Sequence, residues 1–143
     1  SESNKGKLYY KDNKYSNGLF AAFYHHKNLK SLILTKCNIK EAPLLNPNLT
    51  YLDLSDNHIS DITLENIIHC LKAFNKYEYR VILANNIVTP MSFKTIQKFI
   101  INNRHCKDFN LSGNEISENE IINWSKICLS TNNKITCLDL SNT

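Results

Sequence analysis

YLDLSDNHIS, residues 51–60, returns at residues 108–117 as DFNLSGNEIS, with Leu, Asn and Ile in matching slots and most of the intervening residues changed. Extended upstream to Leu49 and Cys106, the pair defines a template, L-x-x-L-x-L-x-x-N-x-I. A recurrence of this kind is read before any local propensity, because it decides the architecture. Leu49, Leu52, Leu54, Asn57 and Ile59 fill the template completely. Leu29, Leu32, Leu34, Cys37 and Ile39 fill it with Cys in the Asn slot, and Cys106, Phe109, Leu111, Asn114 and Ile116 form a further copy. Val81, Leu83, Asn86 and Val88 fit with Glu78 in the first apolar slot. Ile135, Leu138, Leu140 and Thr143 begin another copy, and Leu8, Tyr10, Asn13 and Tyr15 make a weaker one with Lys5 in the first slot. The Asn slot thus falls at 13, 37, 57, 86, 114 and 143, at spacings of 24, 20, 29, 28 and 29.

Within L-x-L the period is two, so Leu52 and Leu54 share one side of a strand while Tyr51, Asp53 and Ser55 share the other. No single copy can cover its own apolar side, and stacking parallel copies buries a continuous ladder of Leu, Ile and Val. The Asn slot lies where the chain leaves the strand. A carboxamide there offers a donor and an acceptor to backbone groups that a buried turn leaves without partners.

Three residues beyond the Asn slot stand Ser16, Ser60, Thr89 and Ser117, each expected to cap a helix. Ser117 and Glu120 have capping-box spacing, and Pro90 follows Thr89 at the first helical position. The sets Leu64, Ile67, Ile68, Leu71; Phe93, Ile96, Phe99, Ile100; and Ile121, Trp124, Ile127, Cys128 have helical spacing. Leu19, Phe20, Phe23 and Tyr24 suggest one more short helix. KEAPLLNPN, residues 40–48, carries two prolines and is expected to return by an extended segment.

The array resembles the leucine-rich repeat family, and its last three spacings look like the ribonuclease-inhibitor-like class. The resemblance spans nearly the whole chain and implies one α/β domain over residues 1–143, of about six repeats with the first and last incomplete. The expected architecture is a right-handed leucine-rich-repeat solenoid, with a parallel concave sheet inside the curve and helices on the convex side. The absence of an initiator Met and a last copy that stops short give the expectation of a fragment of a larger protein.

The resemblance implies a non-catalytic module that binds a partner protein on its concave face, without a cofactor. The candidate partner-binding residues are the outward strand positions Tyr9, Ile33, Tyr51, Asp53, Arg80, Ile82, Asp108, Asn110 and Asp139. Tyr9, Ile33, Tyr51 and Ile82 put aromatic and apolar groups where the repeat does not require them, and Arg80 stands beside them; aromatics and Arg are what interface hot spots favour. High strand propensity accounts for the same Ile and Tyr residues without any partner. As an alternative, the resemblance implies a regulator of the GTPase-activating or actin-binding type, or the targeting domain of a larger enzyme. An arginine finger for the first of these has only Arg80 and Arg104 to draw on.

There is no phosphate-binding Gly-rich loop, no nucleophile elbow and no H-E-x-x-H, and Asp53 with Asp56 reads as a turn feature rather than an acid and base pair. No metal site is expected. The five cysteines form no C-x-x-C, and the neighbours His69–Cys70 and His105–Cys106 point apart on any regular element. They read as small buried thiols in the cytoplasm or another reducing compartment. No apolar run has membrane-spanning length. The formal charge of +4 is too mild to argue for nucleic acid, although residues 1–40 hold eight lysines against two acids, with Tyr9, Tyr10 and Tyr15 among them. Asn, Ile and Lys make up 52 of 143 residues, as expected from an AT-rich coding genome. Such genomes are common among intracellular bacteria and protist parasites, which gives the expectation of a secreted effector acting on a protein in the host cytoplasm.

Overall fold

The computed structural model describes residues 6–11, 17–130 and 137–139. Six strands, β1 (Lys7–Lys11), β2 (Ser31–Thr35), β3 (Tyr51–Asp53), β4 (Tyr79–Ile82), β5 (Cys106–Asn110) and β6 (Cys137–Asp139), form one sheet in chain order. Every neighbouring pair is parallel, and the register aligns the template copies: Leu8 pairs with Leu32, Leu32 with Leu52, Leu52 with Val81, Val81 with Phe109 and Phe109 with Leu138. The period-two pattern is therefore what sets the register, since a one-residue slip would turn the apolar ladder to solvent. Leu34, Leu54, Leu83 and Leu111, from four consecutive copies, are all fully buried in one core. Asn13, Tyr15, Ser16, Ile135, Leu140 and Thr143, also assigned to template or cap slots, lie outside the described residues.

The carboxamides at the Asn slots link each turn to the one before it. Asn57 Nδ2 donates to the carbonyls of Leu34, Leu54 and Ser55, while its Oδ1 accepts from the backbone N–H groups of Cys37 and Ile39. Asn86 repeats the pattern one turn later, donating to Leu54, Leu83 and Ala84 and accepting from Asn57 and Ile59. Asn114 donates to Leu83, Leu111 and Ser112 and accepts from Val88. All three are buried, and the bonds satisfy backbone groups for which no ladder partner exists at the turn. Cys37, in the same slot, donates its thiol to Thr35 O.

The residue just before each of these slots is in the left-handed region: Lys36 (φ 54°), Asp56 (φ 58°), Asn85 (φ 55°) and Gly113 (φ 73°). That periodic demand is where Gly, Asn and Asp are favoured and Lys is not. At Gly113 a Cβ would collide with Asn85 Oδ1, so the glycine also permits the approach of the preceding turn.

Return paths differ in length. After β2 the chain runs extended through residues 40–48 without helix, burying Leu45 and Asn46, whose Nδ2 donates to His26 O. The longer returns carry helices: α1 (Asn17–Tyr24), α2 (Asp61–Leu71), α3 (Phe93–Asn102) and α4 (Glu118–Ser130). Ser60 caps α2 by accepting from Thr63 N, and Ser117 and Glu120 form the expected capping box for α4. Thr89 and Pro90 open a 3-10 turn, Pro90–Ser92, before α3 begins. Asp61, in the first turn of α2, accepts from Thr89 N, Thr89 Oγ1 and Ser92 Oγ, joining two helix starts across adjacent turns. Desolvation opposes ionisation of this carboxyl, but the bonds from Ser92 and Thr89 outweigh it and hold its pKa below the ordinary value. Helices α3 and α4 meet through Phe93 stacked on the buried Trp124, centroids 5.8 Å apart.

Two sequence expectations are corrected. Glu78 does not occupy the first apolar slot of its copy; the buried Tyr79 does. A register irregularity between Tyr79 and Arg80 pairs Tyr79 with Cys106, so one residue is absorbed and Glu78 swings out to Lys107 at 3.4 Å. Tyr79 packs edge-on against Phe74 and its hydroxyl accepts from Asn103 Nδ2, while burial drives its pKa well above the usual phenol value. The cysteines are not uniformly buried either. Cys37 and Cys106 are, and burial pushes the Cys106 thiol up to about 12, but Cys70 is half-buried on α2.

Candidate binding face of the sheet

The side of the strands opposite the leucine ladder carries the candidate residues in two cross-strand rows. One row reads Lys7, Ser31, Tyr51, Arg80, Asp108, Cys137; the other reads Tyr9, Ile33, Asp53, Ile82, Asn110, Asp139. Tyr9 and Asp139 enter by backbone register alone. From β2 to β5 the rows cover roughly 14 Å, three strand spacings. Alternation puts Ile33, Tyr51, Asp53, Ile82, Asp108 and Asn110 half-buried on this face, with Arg80 exposed.

Tyr51 stands at the electrostatic centre of the cluster. Partial burial raises its pKa most, the carboxylates of Asp53 and Asp108 add to the rise, and Arg80 opposes it. Arg80 Nη1 lies 3.6 Å from Asp108 Oδ2, on the neighbouring strand of the same row. The other oxygen of Asp108 is buried with no hydrogen-bond partner among the described residues. The row thus joins a phenol, a guanidinium and a carboxylate side by side, with Ile33 and Ile82 flanking Asp53 in the row beside it.

Asp53 and Asn110 have a structural role that the repeat pattern does not announce. Asp53 Oδ1 accepts from Ser55 N and Ser55 Oγ, at 2.9 and 2.6 Å. Asn110 Oδ1 accepts the equivalent pair from Ser112, at 2.9 and 2.7 Å. Both side chains therefore close the end of their strand, and Ser55, counted among the outward positions, is buried beneath that bond. The signal in the sequence is D-x-S and N-x-S in the same register. Asp56 stands exposed in a left-handed turn beyond the strand end and is no partner for Asp53 in acid and base work.

Of the two arginines, Arg80 is held in the ion pair on this face and Arg104 is exposed in the turn after α3. Among the described residues no group of three or more His, Cys, Asp and Glu side chains could hold a metal ion, and no helix is long and apolar enough to cross a membrane.

A search of curated proteins finds no match to the chain. Residues 27–76, which contain β2, the extended return, β3 and α2, match the family model described as Leucine Rich repeats (2 copies), a repeat class that generally mediates protein–protein interaction.

Proposed function

We propose that the chain is a non-catalytic protein-binding module. In this reading residues 1–143 form one domain, a right-handed solenoid of the ribonuclease-inhibitor-like class, and the strand face is its concave surface. The observation that carries the reading is the cluster of Tyr51, Arg80 and Asp108 beside Ile33 and Ile82, on a face whose repeat pattern calls for none of them. A sheet ordered in advance loses little conformational entropy on binding, and aromatic and Arg side chains supply the anchoring contacts. The thiols of Cys70 and Cys106, neither in a disulfide, support action in a reducing compartment. The Asn, Ile and Lys excess supports an effector directed at a host protein.

Affinity capture with the unmodified chain beside a Tyr51→Ala, Ile82→Ala version tests the assignment. Proteins recovered by the first should be lost from the second. Equal recovery by both removes the strand face as the site.

A further inference from the structure

Because the strands are parallel and each return path runs back to the next strand, the molecule has two distinct edges. At the edge where strands end and helices begin, the described turns and first helical turns carry Lys36, Lys40 and Lys94 against Glu41, Asp56, Asp61, Glu115, Glu118 and Glu120. At the opposite edge, where helices end and strands begin, they carry Lys27, Lys30, Lys72, Lys76, Arg104 and Lys107 against Glu78 alone. Acids at helix starts and bases at helix ends complement the macrodipoles, but each helix end contributes only about half a charge. The side-chain polarity is about two to three times what α2, α3 and α4 together require.

At the basic edge residues of α2, α3 and the turns that follow them line a groove of about 530 Å³. Lys72, Lys98 and Arg104 line it together with His69 and His105, against Glu65 as the only carboxylate. All three cations are exposed, and none is ion-paired among the described residues. The turn that carries Arg104 and His105 is fixed from below: Asn103 Oδ1 accepts from the N–H groups of His105 and Cys106 while its Nδ2 is bound to Tyr79. Ile68, Phe74 and Phe99 give the groove an apolar floor. Unpaired cations converging on a concavity with low-dielectric walls focus a positive potential there.

We propose that this groove is a docking site for an acidic peptide segment of a partner protein, distinct from the strand face. Carboxylates of the segment meet Lys72, Lys98 and Arg104, the last able to hold one in a bidentate pair, while its apolar side chains rest on Phe74 and Phe99. The helix C-termini turn carbonyls toward this edge, acceptors that the N–H groups of a peptide can engage and a fully ionised phosphate cannot. The apolar floor separates the site from a purely electrostatic track for nucleic acid.

Fluorescence anisotropy of the full chain with three dye-labelled probes tests this: a peptide of repeated Glu-Glu-Leu units, the same peptide with Lys for Glu, and an oligothymidine of equal charge. The acidic peptide should bind at least about tenfold more tightly than either of the others, and Lys98→Glu with Arg104→Glu should weaken it by about tenfold or more. Tyr51→Ala with Ile82→Ala should leave it unchanged, so loss of the strand-face reading and loss of this one are separable. Should the charge-reversed double variant melt early, the exposed single change Lys98→Gln must still weaken binding by about threefold. No binding, equal binding of the Lys peptide, oligothymidine binding as tight as the acidic peptide, or indifference to Lys98→Gln overturns the proposal.

Discussion

The turn from Cys37 to Asn57 and the turn from Asn57 to Asn86 reach the same end by different routes. One takes 20 residues and returns extended over Leu45 and Asn46; the other takes 29 and returns through α2, burying Leu64, Ile67, Ile68 and Leu71. Both deliver the next strand in parallel register, with a buried leucine at the same level and a left-handed residue ahead of the slot. What is invariant is the strand and its turn. The return path is free to vary so long as it covers the outer side of the ladder.

The comparison breaks most easily at the slots themselves. Asn57→Ala should cost about 4 kcal/mol, because Cys37 N and Ile39 N lose their acceptor and three carbonyls lose a donor, whereas Cys37→Ala should cost about 1 kcal/mol. Urea denaturation of both variants measures the contrast, and equal losses would mean that the two slots do the same work. Next come the two return paths. Leu64→Ala in the helical return should cost about 3 kcal/mol and Leu45→Ala in the extended one about 2 kcal/mol, since the looser segment can settle into the space; thermal melts rank them.

The left-handed positions sharpen the comparison with opposite signs. Gly113→Ala should destabilise by about 1 to 2 kcal/mol, as a Cβ meets Asn85 at positive φ, while Lys36→Gly should stabilise by about 0.5 to 1 kcal/mol. A destabilised Lys36→Gly would show that the short turn does not strain its backbone. The smallest effect concerns Asp61, which ties the two long turns together. Its folded pKa lies below its unfolded one, so its contribution is present above the ordinary carboxylate pKa and disappears as pH falls through the lowered value. Asp61→Asn should therefore flatten the acid limb of a stability profile below pH of about 4 and leave the alkaline limb alone.

The parts of the fold legible in the sequence are those that repeat with a fixed offset: the Leu and Asn slots, the Ser caps and the proline-bearing return. Tyr79 escapes the template because an irregularity of one residue in β4 is invisible to a pattern that counts residues. The left-handed positions repeat as well, but Lys36 breaks the set of favoured residues that Asp56, Asn85 and Gly113 form, so only the backbone reveals the full series. On the strand face, alternation finds the outward residues and register brings Tyr51, Arg80 and Asp108 together, yet the strand-closing bonds of Asp53 and Asn110 need coordinates. The groove is beyond reach altogether, since Lys72, Lys98 and Arg104 come from separate segments and no periodicity links them.

The carboxamide ladder has a direction. Asn57 accepts from N–H groups of the turn before it, Asn86 does so for the turn of Asn57, and Asn114 for the turn of Asn86. Peeling the chain from its C-terminal side orphans donors in whatever stays folded, while peeling from the N-terminal side takes each donor away together with its own segment. Fraying is thereby made asymmetric, and amide protons at Ile39, Ile59 and Val88 report the state of the next neighbour rather than of their own turn.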